Sequence, residues 1–216
     1  SEGSRYVDLV CVNIYENFAG RLDLVHSRWP GKPVLVSEYG FRADAMAGDA
    51  ARDDAHREAI EVFRERDYVV GASVWTYNDY RSRYPPGTDA RGYRQWGVVD
   101  ADRKPKPTYS LLAAEYSPAV IHQARAEANG SAVSATIQAR ADFPSYTLRG
   151  YSVRAELLDA AGVVIENSST ALPVLRPGET FALKARMKKA AKAARARIEV
   201  VRPTGFVTAS TEVSIP

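Results

Sequence analysis

Three stretches of this sequence run from aliphatic residues into side chains able to do chemistry: Asn13-Ile14-Tyr15-Glu16, Glu38-Tyr39 and Trp75-Thr76-Tyr77-Asn78-Asp79. Each sets carboxylates or amides beside aromatic rings. That mixture suits carbohydrate, because a ring stacks on the apolar face of a sugar while carboxylates and amides take its hydroxyls. Hydrolysis of a glycosidic bond needs two carboxyl groups about it, one as acid and one as base or nucleophile. Glu38 is the leading single group. Its own segment reads equally as a solvated strand-end carboxylate or as the partner of an arginine.

The elements that must position these groups follow from patterning. Val34-Leu35-Val36 is apolar at every position, which predicts a strand covered on both faces, as in a parallel sheet wrapped by helices. Pro33 suits the first residue of a strand, and Gly40 permits a sharp exit. Glu38 then stands at the carboxyl end of a parallel strand, where α/β folds place their chemistry. Residues 6–15 and 68–75 carry two further strand patterns. Helical spacing appears over 20–29 (Leu22, Val25, Trp29), 49–66 (Ala59, Ile60, Val62, Phe63) and 107–116, with Pro107 in a first turn. A Gly-, Pro-, Arg- and Tyr-rich loop spans 79–97. Strand and helix repeated in this way predict parallel strands with right-handed crossovers.

The pattern changes at Ser117-Pro118. Beyond it, short strands alternate with turn signals at Asn129-Gly130, Ala161-Gly162 and Pro177-Gly178. This predicts an antiparallel β-sandwich of immunoglobulin or fibronectin type, without a disulfide. The alanine-rich stretch 190–196 reads as a loop leading into a strand. The expected division is 1–117, α/β, and 118–216, all-β.

Composition excludes some functions. A net charge of +3 over 216 residues does not call for a polyanionic partner. The basic run Lys184–Arg197 lacks the interleaved aromatic residues of a nucleic-acid site and reads as a solvated surface. No segment has the apolar length of a membrane-spanning helix. The single cysteine, Cys11, lies in an apolar run and reads as a small core residue. His26, His56 and His122 are scattered, so no metal site is expected, and no residue pattern calls for a cofactor. Nothing in the sequence indicates a compartment.

The stretches "YVDLVCVNIY", "KPVLVSEYG", "YVVGASVWTYNDY" and "WGVVDADRKPKPTY" together resemble the last three strands of the catalytic barrel in glycoside hydrolase family 2, which includes β-galactosidases, β-glucuronidases and β-mannosidases. The resemblance covers about residues 5–117. It implies a partial (β/α)8 TIM barrel, its last three βα units, followed by a β-sandwich. It implies a retaining exo-β-glycosidase with Glu38 as nucleophile and Tyr15 as a phenol beside it. Asn13 would position Tyr15 or only satisfy backbone. Trp75 would be a sugar platform, with a cis peptide at Trp75–Thr76. Asn78 and Asp79 would meet sugar hydroxyls or cap the following loop.

Two departures from the family pattern matter. The family's acid/base glutamate follows an asparagine, and no Asn-Glu pair occurs in this sequence. The resemblance therefore implies a C-terminal fragment, inactive alone, completed by the missing N-terminal part of the same enzyme or by self-association. Second, β-glucuronidases carry Asn-x-Lys before the glycine after strand eight, and here that position reads Arg94-Gln95-Trp96-Gly97. The missing lysine favours a neutral β-galactoside, while Arg94 keeps uronic acids open. The rival readings are a non-catalytic carbohydrate-binding or structural module, and a barrel hydrolase pairing one carboxylate with a metal.

Overall fold

The computed structural model describes residues 2–83, 87–127, 130–188 and 193–216. The chain divides into two compact units, Ser1–Tyr116 and Ser117–Pro216.

The first unit is built on three parallel strands in the order β1-β2-β3: β1 Val10–Asn13, β2 Val34–Tyr39 and β3 Val69–Val74. Helices α1 (Phe18–Arg28) and α2 (Asp49–Arg64) make the two crossovers, and α3 (Pro107–Glu115) closes the unit. Pro107 sits at the start of α3, where its missing N–H costs nothing. The core is aromatic. Phe18 of α1, Tyr39 of β2 and Phe63 of α2 meet edge to face, with centroids 5.0–6.3 Å apart. Val34, Val36, Leu22 and Ile60 are buried with them.

Three expectations need correction here. The first strand is only Val10–Asn13, because Glu2–Tyr6 coils into a 3-10 turn. Lys32 Nζ holds that segment out of the sheet, donating to the carbonyls of Ser4, Arg5 and Val7 at 2.7–3.0 Å. Cys11 is exposed rather than buried, because β1 is an edge strand. A hollow of about 230 Å³ lies between β1 and α1, with Val10, Cys11, Leu24 and Trp29 among its walls. Finally, β2 is covered on one face only. Val34 and Val36 are buried, whereas Leu35 and Ser37 on the other face are half-buried.

The loop 79–97 is more ordered than its composition predicts. Tyr80–Arg81 (β4) pairs with Tyr93–Arg94 (β5). Asp89 accepts the N–H groups of Arg91 and Tyr93, both at 2.9 Å. These backbone bonds, that of Tyr93 foremost, hold the Asp89 carboxyl below its ordinary range. Residues 84–86 of the loop lie outside the described residues.

The second unit is an antiparallel two-sheet sandwich. Strands β6 (Ala119–Ala126), β7 (Ala132–Ala139) and β10 (Thr180–Arg186) form one sheet in the order β10-β7-β6. Strands β8 (Ser152–Leu158), β9 (Val164–Ala171), β11 (Arg195–Val201) and β12 (Val207–Ser214) form the other, in the order β12-β11-β8-β9. Their inward residues make one core, including Val133, Ile137, Val153, Leu157, Leu183, Ile198 and Val200. Strand β6 escapes the sequence pattern. Gln123 takes φ 52° and the register slips between His122 and Arg125, so the alternation that marks a strand is broken midway. Gly162 and Gly178 turn at φ 84°, as the turn signals predict. Asn129 and residues 190–192 lie outside the described residues, while Arg195 opens β11. The outer face of the four-stranded sheet carries an ion-pair network: Arg154 with Glu156 along β8, and across strands Arg154 with Glu199 and Arg197 with Glu156 and Glu212.

No helix among the described residues is long and apolar enough to cross a membrane.

Candidate active site

The carboxyl ends of β1, β2 and β3 bring the sequence-selected residues together. A register slip between Val12 and Asn13 sets Asn13 opposite Glu38. The Ile14 N–H then donates to the Glu38 carbonyl at 2.9 Å, fixing the backbone that carries the carboxylate. Two residues beyond β1, the Tyr15 hydroxyl donates to Glu38 Oε2 at 2.6 Å. That length is typical of a hydroxyl bonded to an anion. Burial first, then this bond and the carboxylate charge, push the Tyr15 phenol far above its ordinary range. Tyr15 is therefore a protonated donor throughout the neutral region.

Asn13 turns to a different partner than expected. Its Oδ1 accepts from Ser37 Oγ at 2.8 Å, so it braces the strand of Glu38 rather than Tyr15. Trp75 follows β3 directly. Its N–H donates to the Tyr39 carbonyl at 2.7 Å, and the Trp75–Thr76 peptide is cis, as the resemblance implies. The indole is 37% exposed, which leaves a face open, and it stands edge-on to Tyr80 with Nε1 donating to the Tyr80 hydroxyl at 3.3 Å. A Cβ on Gly40 would collide with the Trp75 carbonyl oxygen, so the exit of β2 needs glycine for this close approach.

Asp79 departs from its expected place. It is 6% exposed, and Lys106 Nζ lies 2.7 and 2.8 Å from its two carboxylate oxygens. Its Oδ1 also accepts the Gly97 N–H at 2.8 Å. With both oxygens occupied and the side chain buried, Asp79 is a brace for the segment around Gly97, not a group facing a sugar. Asn78 is half-buried and spends its amide N–H on the Asp79 carbonyl at 2.7 Å. The motif Asp100-x-x-Arg103-Lys104-Pro105-Lys106 thereby acquires a structural meaning. Asp100 accepts the N–H groups of Asp102 and Lys104, both at 2.8 Å, and the turn delivers Lys106 to Asp79.

Arg94 is half-buried, with its guanidinium 5.9 Å from the centre of the Trp96 ring. Its positive charge acts on the Tyr15 phenol, which places it within electrostatic reach of the Tyr15–Glu38 pair. Arg94 Nε and Trp96 Nε1 are buried donors without a partner among the described residues. Trp96 itself was not singled out by the sequence. It meets Tyr15 edge to face, with centroids 5.3 Å apart. The signal available was its position immediately before Gly97, where it was read only as a replacement for the lysine of the family pattern. No group of three or more His, Cys, Asp or Glu residues among the described ones could hold a metal.

A carboxylate and a donating phenol thus sit at the ends of adjacent parallel strands, flanked by two indoles and a guanidinium. Over half its length the chain is similar to β-glucuronidases. It is 27% identical over 139 residues to the enzyme of Mus musculus and 26% identical over 141 residues to that of Rattus norvegicus; each match covers 53% of this chain and 21% of the relative. Among solved structures, the Faecalibacterium prausnitzii β-glucuronidase matches 50% of this chain and 21% of its own, with 26% identity and a TM-score of 0.41. The chain spans about a fifth of the length of the curated relatives it matches. No family model matches the sequence.

Proposed function

We propose that this chain carries the nucleophile half of a retaining exo-β-glycosidase of the glycoside hydrolase family 2 kind. The observation that carries the reading is the 2.6 Å bond from Tyr15 to Glu38 at the mouth of a parallel sheet. The similarity to β-glucuronidases over about half of the chain supports it. In this reading the three parallel strands are the last three of a (β/α)8 barrel. The strand order of the second unit supports an immunoglobulin- or fibronectin-like sandwich.

Glu38 attacks the anomeric carbon of a terminal β-linked sugar. A bond forms from its oxygen to that carbon as the bond to the leaving oxygen breaks, and a second carboxylic acid protonates the leaving group. Water then attacks the same carbon, gives its proton to that second carboxylate, and releases Glu38 with net retention. Tyr15 holds the attacking oxygen and shares its charge. Trp75 offers an open indole face to the sugar. The second carboxyl group belongs to polypeptide outside these 216 residues.

The curated relatives it resembles are β-glucuronidases, so the expected preference for a β-galactoside draws no support from them. We favour a β-glucuronide, with Arg94 supplying the cation for its carboxylate. The neutral galactoside remains the second reading, because Trp96 stands where the resemblance asks for lysine.

The test is covalent trapping. A 2-deoxy-2-fluoro-β-glycosyl fluoride carries a leaving group that needs no protonation, and its glycosyl-enzyme decays slowly. Offered as the glucuronide and as the galactoside to the polypeptide containing this chain, it should add one sugar mass to the peptide bearing Glu38. Turnover with the label on another carboxylate would reassign the nucleophile. No turnover and no label would leave the carbohydrate-binding module as the better reading.

A further inference from the structure

One charged side chain of α2 lies where an apolar residue belongs. The buried stripe of this helix runs through positions 52, 56, 59, 60 and 63, and its first member is arginine. Arg52 is 1% exposed and His56, one turn on, is fully buried. An arginine this deep is costly unless every donor finds an acceptor.

Arg52 spends its donors on backbone. Nε donates to the Phe41 carbonyl at 2.9 Å, Nη1 to that of Gly97 at 3.1 Å and Nη2 to that of Trp96 at 2.8 Å. The first carbonyl lies three residues past Glu38. The other two belong to the loop that presents Arg94 and Trp96. The guanidinium fork is planar and rigid, so it fixes the relative position of these two segments in a way a single ammonium cannot. Other bonds converge on the same place. Ala43 N–H donates to the Gln95 carbonyl at 2.9 Å, and Asp79 takes the Gly97 N–H. Between Arg52 on one side and Asp79 with Lys106 on the other, the Trp96–Gly97 backbone is held from both ends. Trp96 in turn packs against Tyr15, which donates to Glu38.

The geometry points to Arg52 as a positioning residue: by clamping the Trp96–Gly97 carbonyls to the exit of β2, it sets where Trp96 stands against Tyr15 and hence how the phenol meets Glu38. It touches neither sugar nor reacting atoms. The role rests on the glycosidase reading for its catalytic meaning, but the clamp itself is independent of it.

The clamp is read in the unsubstituted protein by nitrogen-15 NMR of the guanidinium. A fork held by three carbonyls gives separate, slowly exchanging Nη protons; one averaged signal would overturn the assignment. The catalytic consequence is read from the rate of trapping at Glu38 by the fluoro-sugar in Arg52→Met and Arg52→Lys. Small displacements near a reacting centre cost roughly 10- to 100-fold in rate. Arg52→Met should lose about that much in the maximal trapping rate, with the half-saturating concentration moved less and the far-ultraviolet dichroism unchanged. Arg52→Lys, keeping the charge on a single donor nitrogen, should recover part of it. A folded Arg52→Met that traps at the original rate overturns the role. So does loss of the fold in both variants, since the guanidinium would then hold the core and not the loop. If the unsubstituted protein does not trap at Glu38 at all, the glycosidase reading fails, and the NMR measurement still decides the clamp.

Discussion

Tyr15 reaches Glu38 across two neighbouring parallel strands, hydroxyl to carboxylate oxygen at 2.6 Å, and the pairing exists because a one-residue register slip between β1 and β2, with Ser37 the extra residue of β2, puts Asn13 opposite Glu38. Without that slip the phenol would start from another register. A hydrogen bond to a charged group contributes about 1.5–3 kcal/mol. Tyr15→Phe should therefore lower kcat/KM roughly 10- to 150-fold in the intact enzyme, with the fold unchanged. Steady-state kinetics on an aryl glycoside check this, and an unaltered kcat/KM would detach the phenol from the chemistry.

Removing the nucleophile is the sharper test. Glu38→Ala should reduce kcat by about four to six orders of magnitude, the scale seen when a nucleophile is deleted. Azide fits the space left by the carboxylate. It should restore turnover and give an α-glycosyl azide, because one displacement inverts the centre. A β-azide product would assign Glu38 to acid/base work instead.

Arg94→Ala separates the substrates. If Arg94 meets the carboxylate of a uronic acid, the variant should lose about 10-fold or more on a glucuronide, the value of a hydrogen bond to a charged group, and change little on a galactoside. The profile is measured on matched aryl glucuronide and galactoside. Equal losses on both, or none, would take Arg94 out of substrate recognition.

Acid should weaken the first unit through His56. Burial, and then the charge of Arg52, push its pKa down to about 3. Below the ordinary value near 6.5 the unfolded imidazole binds a proton that the folded one refuses until about pH 3. The unfolded state therefore holds more protons in that window, and stability falls with falling pH by about 1.4 kcal/mol per unit. Urea unfolding followed by tryptophan emission isolates this unit, since Trp29, Trp75 and Trp96 all lie in it. His56→Leu should flatten the slope between pH 4 and 6; an unchanged slope would show that other groups set it.

The same emission tests backbone crowding. A Cβ at Gly97 would collide with the backbone at Asp79 and Val99. Gly97→Ala should cost about 1–3 kcal/mol, the usual penalty of overpacking, and blue- or red-shift Trp96. A neutral substitution would mean the loop yields there.

Much of this arrangement was legible in the sequence, and for physical reasons. Periodicity located the three parallel strands and their helices, because the buried faces of β2 and α2 write regular apolar spacing. Glu38, Tyr15 and Trp75 were recognisable as strand-end residues of the right chemistry. Asp79 was misplaced because its partner, Lys106, is 27 residues away and only the fold joins them. Cys11 looked buried because an apolar side chain does not record whether a strand is central or at an edge, and Leu35 because it does not record whether both faces of a sheet are covered. Strand β6 was missed because a bulge erases period two. Arg52 did leave a trace, a charge in step with an apolar stripe, and that trace is visible once the helix is drawn.

The exposed Cys11 gives the open edge of the sheet a chemical handle. It is the only thiol in the chain and sits in the middle of β1, whose outer side no strand among the described residues occupies. A neighbouring strand laid along that edge would shield it from a maleimide. The rate of alkylation at one sulfur thus becomes a gauge of assembly: fast in the isolated chain, slow in any polypeptide or complex that continues the sheet past β1.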